Sequence, residues 1–379
     1  MQRRKYWLLL FLVLFFLAAA SPCAAADIVN VKADSAILVD AESGRILFGK
    51  EPERQLPPAS MTKLMTLLLG VMALEDGRAM PNDKVTTTEN AWRLGGSQIY
   101  LEPGEEMTYH DMLVAVAVGS ANDACVAVSE HLEGSHESFV EKMNQTAKQL
   151  KMKNTHFVNA YGLPDPKHYT SAHDMARLAV FALKHPRILE YTSIKEYSLR
   201  NGEFKLFNTN KLLWWYRGAD GFKTGWTNEA KYCLVSTVKR NGLRLVAVVM
   251  GSPEPRGNFR DSIALYNYGF ARYAFKSFGE RGSIHGLVKV GKGQQEAVEA
   301  VAERSIGVVC LKGEENQLVC RKSLASYLNA PIRAGQTIGT AKILRDGKVI
   351  KTVRLIARQS IPKRQFKESV QRTWSEIFF

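Results

Sequence analysis

Strand signals stand at both ends of one long stretch whose middle is helical, and few folds accommodate that order. Residues 34–48 read as a hairpin: Ala36-Ile37-Leu38-Val39, a polar turn Asp40-Ala41-Glu42-Ser43-Gly44, then Arg45-Ile46-Leu47-Phe48. Two more strands, residues 233–238 and 243–250, flank Arg240-Asn241-Gly242, a strong hairpin turn. Between these ends, helical patterning covers residues 60–73, 111–132 with an interruption at Gly119-Ser120, and 171–184; a last helix is expected over 261–275. Early and late strands can share one sheet only if the helices between them pack on its faces. An antiparallel sheet covered by helices, an α/β or α+β domain over residues 27–282, is therefore expected.

The pattern changes around Gly279 to Gly282. Short apolar runs at 286–290, 305–311, 337–344 and 349–356, each bounded by Gly, Asn or charge, indicate a small all-β second domain over 283–358. A chain of 379 residues, 46% of them hydrophobic, can fill both cores.

The first 26 residues bear on compartment. Arg3, Arg4 and Lys5 precede an uncharged apolar run over 6–20, then Ser21-Pro22 and the small residues Ala24-Ala25-Ala26. This is the pattern of a secretory signal cleaved before Asp27; an uncleaved anchor is the alternative. Cys23 follows Pro22, a poor context for lipid attachment. Cleavage lowers the formal charge of +14 by three, to +11, so the positive surplus survives and suits an anionic surface. Export without a recognition motif argues against nucleic acid. Cys125, Cys233, Cys310 and Cys320 remain, too few for a disulfide framework. Cys125 and Cys233 read as buried thiols, while Cys310 and Cys320 flank a turn-like segment and could pair across a hairpin. At the other end, over 359–379, Phe366, Val370, Trp374 and Phe378 recur every fourth residue with Lys and Arg on other faces. Such an amphipathic helix can lie in a membrane interface or dock on its own domain, but cannot span.

Three short motifs carry chemistry. In Ser60-Met61-Thr62-Lys63 a hydroxyl and an amine share one helical face, and a lysine stripped of water can take the serine proton. The same spacing recurs at Ser236/Lys239 and Ser360/Lys363, but only Ser60 stands at a helix start, where backbone N–H groups favour developing negative charge. Ser120-Ala121-Asn122 sits at the helical interruption, where it can project a hydroxyl and an amide into a cleft or simply cap the next helix. Lys223-Thr224-Gly225, followed by Trp226, either forms a surface turn or clamps a substrate carboxylate from an edge strand, with Gly225 permitting close backbone approach. In the order 60, 120, 223 the three supply complementary parts of a serine acyl-transfer site.

These motifs resemble those of the serine penicillin-recognising enzymes, and more narrowly the low-molecular-mass penicillin-binding proteins that are serine-type D-alanyl-D-alanine carboxypeptidases. The resemblance extends to Pro57-Pro58-Ala59, Phe157-Val158-Asn159 with Gly162-Leu163, Asn208-Thr209-Asn210 and Asp220-Gly221-Phe222. It implies a β-lactamase-like transpeptidase fold and a hydrolase of peptidoglycan stem peptides ending in D-Ala-D-Ala, inhibited covalently by β-lactams and held at the membrane's outer face. It makes Ser60 the nucleophile, Lys63 its base and Ser120 a proton relay whose charge environment Lys223 adjusts. Asn122 would bind the substrate amide and Thr224 its carboxylate, with an oxyanion hole from the Ser60 and Trp226 N–H groups. An arginine expected before Tyr268-Gly269-Phe270 is replaced by Asn258, with Arg256 and Arg260 on either side, so none is assigned. A Glu-x-Glu-Leu-Asn loop, which positions deacylating water in class A β-lactamases, is missing from the sequence. No cofactor or metal is expected, because the eight histidines form no ligand-spaced set; His131 and His136 read as surface or capping residues. β-Lactamase, endopeptidase or transpeptidase activity on the same scaffold, or a non-catalytic wall- or membrane-binding module, are the alternatives.

Overall fold

Near-continuous burial marks the central strands of the main sheet, which is covered on both faces. A computed structural model of the chain describes residues 29–364, and its main sheet comprises β1 (Ser35–Asp40), β2 (Ile46–Lys50), β3 (Ala219–Thr227), β4 (Lys231–Arg240) and β5 (Leu243–Ser252). The strands lie in the order β2-β1-β5-β4-β3, every neighbouring pair antiparallel, so the N-terminal hairpin does join the late strands. Asn241 and Gly242 turn β4 into β5 with positive φ angles of 48° and 80°, as the Asn-Gly signal requires.

Val246, Val248 and Met250 on β5 join Ile37 and Val39 in the core beneath the helices, which include α1 (Lys63–Glu75), α2 (Asn122–Glu133), α3 (His136–Gln149) and α4 (Ala172–Ala182). α1 is buried on nearly every side, as its apolar sequence demands. On the opposite face, α5 (Gly257–Arg272) crosses so closely that a Cβ on Gly269 would lie 2.6 Å from Leu245 and 2.8 Å from Leu38.

The expected interruption at Gly119-Ser120 is a widened turn over Ala115–Gly119, after which Ser120 adopts a left-handed conformation with φ 59°. α3 has no counterpart in the sequence reading; its start is capped by Ser135, whose hydroxyl accepts from Ser138 N at 3.1 Å. The last helix begins four residues earlier than expected and ends at Arg272, three residues earlier. Tyr273, Ala274 and Phe275 instead open β6 (Tyr273–Gly279), because they find strand partners in Leu311, Cys310 and Val309.

From β6 onward the described residues form strands, apart from turns and a single-turn helix at Glu315–Gln317: β7 (Ile284–Gly291), β8 (Ala297–Ala302), β9 (Ile306–Leu311), β10 (Leu318–Leu324), β11 (Tyr327–Asn329), β12 (Thr337–Arg345) and β13 (Lys348–Ala357). β6 pairs with β9, and the others form a sheet in the order β10-β12-β13-β8-β7-β11. Its core holds Val288, Val298, Ile338, Ile343, Val353 and Leu355. Cys310 on β9 and Cys320 on β10 are free thiols, since β9 pairs with β6 and β10 with β12, and no hairpin brings them together. Ile361 is buried and exchanges two 2.9 Å backbone hydrogen bonds with Ile332, and Lys363 bridges Gly293. The start of the expected tail helix is thus extended chain attached to the β domain. The signal pattern and the aromatic repeat from Phe366 lie outside the described residues. Among the described residues, no helix is long and apolar enough to cross a membrane.

Candidate active site

Pro57 and Pro58 lead into a tight turn over Ala59–Thr62 that flows directly into α1. Ser60 lies on this turn and Lys63 opens the helix, so the two side chains meet: Lys63 Nζ is 2.9 Å from Ser60 Oγ. The same nitrogen is 2.7 Å from Asn122 Oδ1 and 2.6 Å from the Tyr161 carbonyl oxygen. A neutral amine has two N–H bonds and one lone pair. Donation to Asn122 and Tyr161 uses both hydrogens and turns the lone pair toward the Ser60 hydroxyl. Burial lowers the Lys63 pKa from its ordinary value to about 8, opposed by the nearby Cys125 and Asp123.

β3 is the edge strand of the main sheet and runs beside this turn. A Cβ on Gly225 would sit 2.8 Å from Pro58 O and 3.0 Å from Ser60 N, which explains glycine there. Lys223 is buried, and burial first, then the charge of Lys63, lowers its pKa to about 7. Thr224 Oγ1 donates to Thr209 Oγ1 at 2.7 Å, while Lys223 Nζ makes longer contacts to Thr209 Oγ1 (3.5 Å) and Thr224 O (3.3 Å). Ser60, Ser120, Thr224, Gly225 and Trp226 all border one cleft of about 330 Å³. Lys63, Asn122 and Lys223 lie behind its wall.

Two features add to the sequence reading. The Asn122 amide is engaged, its Oδ1 by Lys63 and its Nδ2 by Gly95 O at 2.7 Å, so here it orients the lysine. Arg256 and Asn258 both border the cleft, the Asn258 amide donating to Cys233 O at 2.9 Å, whereas Arg260 pairs with Glu254. Ser97 and Thr209 are further cleft residues. Thr209 belongs to the quoted Asn208-Thr209-Asn210 motif, but Tyr161 contributes a backbone carbonyl, which no side-chain pattern reveals. His131 is exposed beside the Tyr109 ring, and His136 stacks on Tyr161 at 5.4 Å while accepting from Ala160 N at 3.2 Å.

Residues 20–254 match the peptidase S11 family of D-alanyl-D-alanine carboxypeptidases, and residues 273–363 match the C-terminal domain of penicillin-binding protein 5. The chain belongs to the D-alanyl-D-alanine carboxypeptidase family. It is 40% identical to D-alanyl-D-alanine carboxypeptidase DacF of Bacillus subtilis strain 168, across 91% of this chain and 90% of that one. Penicillin binding protein 5 from Haemophilus influenzae superposes with a TM-score of 0.70 at 33% identity, over 88% of this chain and 98% of that one. Penicillin-binding protein D2 from Listeria monocytogenes, in its ampicillin-bound form, gives a TM-score of 0.58 at 31% identity, over 63% and 98%. The family's fold is therefore the fold of this chain, with the all-β C-terminal domain included.

Proposed function

We propose that this family member removes the terminal D-alanine from peptidoglycan stem peptides through an acyl-enzyme on Ser60. The observation that carries the reading is the Lys63 amine, 2.9 Å from Ser60 Oγ, with two acceptors aiming its lone pair. Neutral Lys63 takes the hydroxyl proton as Oγ attacks the carbonyl carbon of the penultimate D-alanine. The backbone N–H groups of Ser60 and Trp226 stabilise the oxyanion. Ser120 passes a proton to the leaving nitrogen, and Lys223 tunes the local charge. Free D-alanine departs, and water then hydrolyses the ester. Thr224 receives the substrate's terminal carboxylate, and Arg256 supplies a guanidinium in the same cleft.

Among the described residues, neither Asp nor Glu borders the cleft. A β-lactam that acylates Ser60 accordingly meets no carboxylate to drive its hydrolysis and leaves slowly, as an inhibitor. The signal pattern and basic amphipathic tail support secretion and retention at the outer face of the cytoplasmic membrane, with a role in wall synthesis and cell shape. Truncation after Arg364, beyond the residues held by the β domain, should release the protein from membranes with peptide hydrolysis intact. Incubation with a D-Ala-D-Ala pentapeptide tests the activity: free D-alanine without cross-linked dimer is expected. Dimer would indicate a transpeptidase, and no turnover a binding module.

A further inference from the structure

Ala59, the residue before the nucleophile, has φ 47°, a left-handed conformation that a residue with a Cβ keeps only where its neighbours impose it. Its carbonyl accepts from Thr62 Oγ1 at 2.8 Å, and Gly162 packs against it so closely that a Cβ there would lie 1.9 Å from Ala59 O. The Thr62 hydroxyl has one hydrogen, already donated to Ala59. Its 2.8 Å contact with His168 Nε2 is therefore a bond that His168 donates. The other ring nitrogen, Nδ1, accepts from Val158 N at 3.0 Å. Two partners thus fix the ring as the neutral Nε2–H tautomer.

The loop that begins at Val158 reaches the catalytic base as well. Ala160 O accepts from Thr66 Oγ1 at 2.6 Å, Tyr161 O holds Lys63, and Asn159 Oδ1 accepts from Tyr161 N and Gly162 N at 3.2 and 2.6 Å. His168, at the far end of this loop and buried, joins it to the turn that carries Ser60. We propose that His168 is a positioning residue, whose neutral ring locks the Ser60 turn to the loop carrying the Tyr161 carbonyl and so sets the alignment of Ser60 with Lys63. This rests on Ser60 and Lys63 being nucleophile and base. Burial lowers the His168 pKa to about 4, with Asp165 opposing and His156 and Lys63 reinforcing the shift. The ring therefore stays neutral at working pH. Protonation would turn an Nδ1–H against the Val158 N–H and open the lock.

The test is the acylation of full-length protein by a fluorescent penicillin, resolved into pre-acylation affinity, acylation rate and final labelled fraction. H168A and H168N, whose side chains cannot present a donor at the Nε2 position, should acylate about 10- to 100-fold more slowly, with affinity unchanged within about twofold and the labelled fraction complete. H168Q places an amide N–H near that position and should recover to within about threefold of wild type. Thr62→Val cuts the same link, so the H168A/T62V double variant should be no more than about twofold slower than the slower single. Wild-type acylation rates in H168A and H168N would overturn the proposal. So would a defect confined to the labelled fraction, the sign of misfolding, or an H168Q as slow as H168A. Ser60→Ala separates the two levels: labelling that survives there defeats the nucleophile assignment itself, whereas loss there beside an unaffected H168A defeats only the role of His168.

Discussion

Around the cleft Lys63, Asn122, Asp123, His168 and Lys223 are all buried, whereas among the described residues from β6 onward no polar or charged side chain is buried outright. The β domain fills its interior chiefly with Val, Ile, Leu and Ala and keeps its charged residues at least partly exposed, as in the Arg345–Glu314 pair. An ion removed from water is unfavourable unless it is paired or neutralised, so two dry lysines are a liability that a scaffold would avoid. The catalytic region accepts them because the same desolvation that destabilises an ammonium creates a free amine near neutral pH. Reactivity and stability are thus divided between the two regions.

Substitutions can break that division. Ser60→Ala should abolish the penicillin adduct seen by intact-mass analysis, because the oxygen that forms the bond is gone. Lys63→Ala should slow acylation by about 10²- to 10⁴-fold, the range for loss of a general base. Gly225→Ala should slow it by about 10- to 100-fold, since the methyl would displace the strand from Pro58 O and Ser60 N. pH offers a milder handle. Because the base acts as a free amine with a pKa lowered to about 8, the acylation rate should rise about tenfold between pH 7 and pH 9, and a rate that does not change over this range would refute that role for Lys63. Ile343→Ala gives the smallest effect on chemistry. It should destabilise the β domain by about 2–5 kcal/mol in a denaturant titration yet change acylation less than about twofold; a matching loss of acylation would show that the division is false.

The motif side chains were legible because helical spacing alone brings Ser60 to Lys63, and Asn241-Gly242 alone fixes the strand pair leading away from β3. Groups that act through the backbone were not. The Tyr161 carbonyl lies 98 residues from the lysine it holds, and nothing in its side chain announces that contact. Arg256, named but unassigned in the sequence, could not be placed there for a related reason: it stands just before α5 with a left-handed φ of 62°, a conformation that an arginine does not advertise. The end of α5 was misjudged because Tyr273 to Phe275 suit either helix or strand, and the partner that decides, β9, lies more than thirty positions onward. Cys310 and Cys320 stand close in sequence, but their strands take other neighbours.

α5 becomes β6 with Tyr273 directly after Arg272, and Lys351 of β13 reaches back to Glu42 at 3.0 Å and donates to Gly307 O at 2.7 Å. The strand-built domain is thus fastened to the catalytic one at two separate points, the unbroken chain at Arg272-Tyr273 and the Lys351–Glu42 pair.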